Sequence, residues 1–156
     1  MASEKATPAD AELILKLYDL RREATMRAAR NWFLNFWPES ADDIMNVMVA
    51  FGSPENAYFR QVLTYWEHAA ALVAHGALHQ QLFFDTQGEL WFVYAKLQPF
   101  LEEIRQRTGI RDSMKNTEAV IYSTPEAERR LATMQERAKR FREGRSVGSA
   151  TERAKQ

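Results

Sequence analysis

Three times in this chain a hydroxyl side chain stands directly before a proline, at Thr7-Pro8, Ser53-Pro54 and Thr124-Pro125. Each pair marks a helix start in two ways. The hydroxyl accepts a hydrogen bond from an orphan amide of the first turn, and proline at the first helical position gives up an amide that has no partner there. A fourth start is Ser40, where Asp42 and Asp43 place negative charge at the positive end of the helix dipole. The stops are equally plain. Trp37 precedes Pro38 and is pushed out of the helical region. Gly52, Gly76 and Gly109 stand where a helix can close on a left-handed residue. No stretch alternates strictly between apolar and polar, so nothing predicts strands.

Between these marks the apolar residues keep helical spacing. A first helix is expected over residues 8–36, with Leu13, Leu17, Leu20, Ala24 and Ala28 on one side. A short helix is expected over 41–51, another over 54–75, a short one over 79–86, and a final one over 125–143. The segment 89–107 is apolar on most faces, as a helix central to a bundle is, and Pro99 is expected to kink it. Residues 111–123 carry no clear pattern. The expectation is an all-α fold, an irregular bundle of five or six helices in a single domain over 7–143. Residues 1–6 and 144–156 have little to bury and are expected to be disordered tails.

Composition narrows the function. Lys plus Arg and Asp plus Glu are 21 each, so no net charge draws the chain toward nucleic acid or an anionic membrane. Cysteine is absent, which removes disulfides, thiol nucleophiles and thiolate metal sites. The apolar runs are far shorter than the roughly 20 residues that span a bilayer. The chain also lacks a glycine-rich phosphate loop, a His-Glu-x-x-His pair, a nucleophile elbow and a calcium loop. A cytoplasmic, non-enzymatic protein with no cofactor and no membrane contact is expected.

All three histidines, His68, His75 and His79, lie in one short stretch. On a wheel of about 100° per residue, His68 and His75 fall opposite the side formed by Phe59, Val62, Leu63, Trp66, Ala69, Ala70 and Val73. Two turns, about 10 Å, separate them, too far for one ion without a further segment. Gly76 interrupts the helix before His79. No metal site is expected. Glu67 sits at the edge of the apolar side, where a carboxylate needs a cation or amide donors. Capping a neighbouring helix start, or pairing with an arginine such as Arg105, would satisfy it. Glu67, His68 and His75 remain the candidates if the protein binds a small ligand or a metal.

The segment 62–109 resembles an uncharacterised bacterial family of helical domains of unknown function. The matching residues are Leu63, Glu67, Ala70, Gly76, Trp91, Pro99 and Arg105. The resemblance implies a helical fold and brings no activity, cofactor or catalytic residue. Some relatives carry an N-terminal membrane anchor, which is not visible here.

Two features suggest a partner surface. Trp32, Phe33, Phe36 and Trp37 crowd the end of the first helix and span several faces, so all four cannot enter one core. In the last helix Ala127, Leu131, Met134, Ala138 and Phe141 alternate steps of four and three, a short heptad-like seam that either docks on the protein's own bundle or serves a dimer or partner contact. A protein–protein interaction or assembly module is therefore expected, self-associating or meeting an unknown protein partner, with Trp32, Trp37, Leu131, Met134 and Phe141 in contact. The basic end of that helix, residues 137–145, offers a weaker alternative in nucleic-acid binding.

Overall fold

The computed structural model describes the backbone of residues 5–153 and the side chains of 5–144. Eight α-helices and no strands occur among the described residues: α1 (Pro8–Arg22), α2 (Ala24–Asn35), α3 (Ala41–Val49), α4 (Pro54–Ala74), α5 (Gln80–Thr86), α6 (Glu89–Thr108), α7 (Lys115–Tyr122) and α8 (Ala127–Arg153). The all-α class holds, and the expected five or six helices become eight for two reasons.

The long first helix is broken at Glu23, whose backbone leaves the helical region at φ −57° and ψ 145°. Its carboxylate turns back to accept from the amides of Thr25 and Met26, at 3.0 and 2.9 Å, and so starts α2. The second addition is α7, in the stretch without pattern. It begins from Met114 in the left-handed conformation at φ 57°, a position usually held by Gly or Asn.

Two of the three hydroxyl–proline pairs cap as expected. Thr7 and Asp10 form a reciprocal capping box at α1, and Ser53 accepts from Asn56 at α4. Ser40 and Asp43 form a second box at α3. Thr124 does not cap. Helix α8 begins two residues past Pro125, and the buried Thr124 hydroxyl has no hydrogen-bond partner. At its other end α8 runs to Arg153 instead of stopping near Glu143. The disorder expected for the tails falls partly on residues 1–4 and 154–156, which lie outside the described residues.

The core forms where α4 and α6 bury the most. Phe59, Val62, Trp66, Ala69, Ala70 and Val73 of α4 are buried, as the wheel predicts, while Leu63 is half-buried. From α6 come Leu90, Trp91, Val93, Tyr94, Leu97, Leu101 and Ile104. Fully burying each large side chain contributes about 1.5–3 kcal/mol. Around this pair, α2, α3 and α7 pack on α4, and α8 packs on α6.

Helix α6 runs on through Pro99. Proline has no amide to give to the carbonyl four residues back, that of Ala95. That carbonyl accepts instead from Gln135 Nε2 of α8, at 3.1 Å. The same amide reaches Gln98 Oε1 at 3.0 Å. The proline thus exposes a backbone acceptor on which α8 docks.

Candidate interaction groove

Pro38 has no amide to give the carbonyl of Leu34, four residues back, and at this end of α2 only the Phe33 carbonyl is met by a cap amide, that of Phe36 at 3.2 Å, so acceptors remain open. They converge on one side chain. Lys96 of α6, only 7% exposed, donates from Nζ to the carbonyls of Phe33, Leu34 and Phe36, at 2.7, 3.1 and 2.8 Å. Its Nζ also lies 3.9 Å from the Trp37 ring centroid, 4.5 Å from Phe92 and 5.2 Å from Phe33. A cation at the negative end of a helix dipole and over ring faces is favoured on both counts. Burial acts the other way, pushing the Lys96 ammonium down from 10.5 to about 7. All three N–H bonds have acceptors, so the charged form fits the cage, and a neutral amine could donate to only two of the three carbonyls.

Held from beneath in this way, Trp37 forms one wall of a groove. Its ring meets Phe92 edge-on at 6.1 Å and Phe141 of α8 at 5.9 Å. A hollow of about 340 Å³ opens among Leu34, Trp37, Phe92, Met134, Arg137, Ala138 and Phe141. A second, of about 180 Å³, shares Trp37, Phe92, Met134 and Ala138 and reaches Lys96, Lys139 and Arg142. A third, of about 310 Å³, lies on the far side of Leu34 and Phe92 and is bordered by Arg27, Arg30 and Glu89. Phe92 lines all three, so the hollows adjoin one another around it, the first two bordered by α8 and the third by α2 and α6 alone, and together they make up the trough. Leu34 and Phe141 are 51% and 56% exposed.

The charges along the trough are almost all positive. Glu89, the one carboxylate lining these hollows, is held by Arg30 through three N–H contacts of 2.9, 3.1 and 2.5 Å. Arg142 pairs with Glu39 at 3.2 Å. Arg137 and Lys139 form no ion pair among the described residues.

The structure brings Trp37, Met134 and Phe141 together in this groove. Trp32 lies apart from them, stacked on Phe36 at 4.9 Å and beside Tyr58. Leu131 is 3% exposed and packs in the chain's own core, so it has no free face to offer a partner.

Glu67 is fully engaged within the protein. One oxygen accepts from the amide and side chain of Asn116, at 2.9 and 2.8 Å, and the other from the amide and hydroxyl of Thr117, at 3.0 and 2.8 Å. It therefore caps the start of α7 from a neighbouring helix. Arg105 bonds Glu118 and the carbonyl of Ser113 instead. His68 and His75 are exposed, and His75 is the C-cap of α4. His79 caps α5, its ring accepting from the Leu82 amide at 3.2 Å while its own amide donates to Asp10. No group of three or more His, Asp or Glu able to hold a metal occurs among the described residues.

Sequence reasoning missed Lys96. The available signal was one lysine inside the buried run from Leu90 to Leu101, one turn after Phe92. Its acceptors are backbone carbonyls some 60 residues away, and carbonyls carry no sequence signature.

Fold and site together define a small helical bundle with a cation-rimmed apolar trough, and no helix among the described residues is long and apolar enough to cross a membrane. A family model described as "Domain of unknown function (DUF4760)" matches residues 6–124, and the chain belongs to that family. Helix α8, one wall of the trough, lies beyond the matched residues. No curated protein and no solved structure matches the chain.

Proposed function

We propose that this chain is a non-enzymatic protein-interaction module, cytoplasmic in setting, and that the trough between α2 and α8 is its contact surface. The carrying observation is that Trp37, Met134 and Phe141, from opposite ends of the sequence, border one open apolar hollow flanked by Leu34 and Phe141 at half exposure. Apolar surface of that kind, with a polar rim, is what protein interfaces bury. Trp37 is held in place before any partner arrives, so little side-chain entropy is lost on that wall when one docks.

The test is a photo-crosslinking residue placed at Phe141 in the cells the gene comes from, with the same residue at exposed Arg60 as control. A discrete protein adduct from position 141 alone supports the reading. Absence of any protein adduct at 141, and at Leu34 in a second trial, ends it. Light scattering addresses self-association separately, a concentration-independent monomer excluding it.

A further inference from the structure

The geometry points to an acidic amphipathic helix of a partner protein as the occupant of the trough, its apolar side on Leu34, Phe92 and Phe141 and its carboxylates toward Arg27, Arg137 and Lys139. This rests on the interaction reading above and adds the chemistry of the partner. Three observations carry it.

The first is length. The hollows adjoin around Phe92 and border α6 from Glu89 to Phe100, so an elongated occupant reaches more of them than a compact molecule does. The second is the setting. With α6 as floor and α2 and α8 as walls, a helix laid in the trough would meet the bundle through ordinary helix packing. The third is sign. Arg137 and Lys139 form no ion pair among the described residues, and the lining carboxylate Glu89 is already held by Arg30. Unanswered cations beside an apolar floor favour a partner with carboxylates flanking apolar anchors.

Other occupants fit less well. Groove against groove in a second copy would set these cations against their own images, a like-charge contact that opposes association. A nucleic acid would meet the cations but would leave Leu34, Met134 and Phe141 with no apolar partner, since phosphates bury none of that surface.

The experiment uses the full chain and three labelled helical peptides about 16 residues long. They share one leucine and phenylalanine stripe and differ only in their flanking residues, all Glu, all Gln or all Lys. A duplex DNA oligonucleotide is a fourth probe. By fluorescence anisotropy, the Glu peptide is expected to bind about tenfold more tightly than the Gln peptide, and the Lys peptide not measurably. Its affinity should fall as salt rises from about 50 to about 500 mM. The double substitution R137E/K139E should reverse the order of the Glu and Lys peptides, and R60E, on an exposed part of α4, should not. Ala138→Trp fills the trough without altering charge and should abolish binding, with circular dichroism confirming that the fold survives. Equal binding of the Glu and Gln peptides overturns the inference. So does no binding by any peptide, or binding of the oligonucleotide alone. If the peptides fail while Phe141 still crosslinks to a protein, this inference falls and the interaction reading stands.

Discussion

Gln135 donates to the carbonyl of Ala95 because Pro99 cannot. A proline inside α6 leaves one acceptor open, and a side chain from α8 closes it at 3.1 Å. Gln135→Leu should therefore destabilise the protein by about 1–2 kcal/mol, the cost of a buried acceptor left without a donor. Pro99→Ala returns the missing amide, so the same Gln135→Leu change should cost measurably less in that background. Urea denaturation of the four proteins gives the coupling directly. Equal costs in both backgrounds would show that Gln135 acts elsewhere.

Lys96 gives a pH prediction whose sign is unambiguous. Burial lowers its folded-state value from 10.5 to about 7, so between those values the unfolded chain binds more protons than the folded one. Stability should rise with pH across that window. The rise begins as the pH passes the folded value of about 7, and the carbonyls and ring faces, which favour the charged form, act to delay it. Tyr65, pushed up to about 12 by burial, makes stability fall once the pH passes 10, so measurements belong between pH 7 and about 9.5. Lys96→Met should flatten the rise. At pH 7 it should also cost about 2 kcal/mol, since the carbonyls of Leu34 and Phe36 lose their donor and that of Phe33 keeps only the Phe36 amide.

Glu67 should behave as a helix cap. Glu67→Ala removes four hydrogen bonds at the start of α7 and should destabilise by about 2 kcal/mol. Hydrogen exchange would show lost protection concentrated in residues 115–122. Protection lost evenly over the whole bundle would contradict a local capping role.

Asp10 ties two helix starts together, accepting from Thr7 at 2.7 Å and from the His79 amide at 2.8 Å. The Thr7 hydrogen bonds, then the His79 amide, hold its carboxyl below the usual 3.8. A depressed carboxyl stabilises the fold above its unfolded value, and that contribution disappears as the pH falls through the lowered folded value. Acid unfolding of Asp10→Asn should accordingly be less steep below about pH 4 than that of the unaltered chain. Parallel acid limbs would show that the ionised carboxylate does not contribute.

The helices were legible in the sequence wherever their marks are local. Thr7, Ser40 and Ser53 cap through atoms within three residues, and Gly109 closes α6 at φ 72°. Legibility failed where the cause is distant or atypical. Glu23 interrupts a run of good helix formers with a side-chain cap, and nothing in its neighbours announces the break. Met114 takes a conformation that sequence assigns to glycine, and α7 is held there by Glu67 from nearly fifty residues away. Thr124-Pro125 shows the reverse error, a local mark that the tertiary setting overrides. At the groove, Trp37, Met134 and Phe141 could be named from their types and spacing. Their meeting around Phe92 and above Lys96 depends on how α2 and α8 sit on α6, which no local pattern encodes.

The three-carbonyl seat of Lys96 joins surface to interior in one practical respect. The direction in which the chain leaves α2, and hence the position of Trp37, is set by an amine on the central helix. A substitution that reshapes the core near position 96 would therefore be felt at the mouth of the trough, altering which guests it admits without touching any residue they meet.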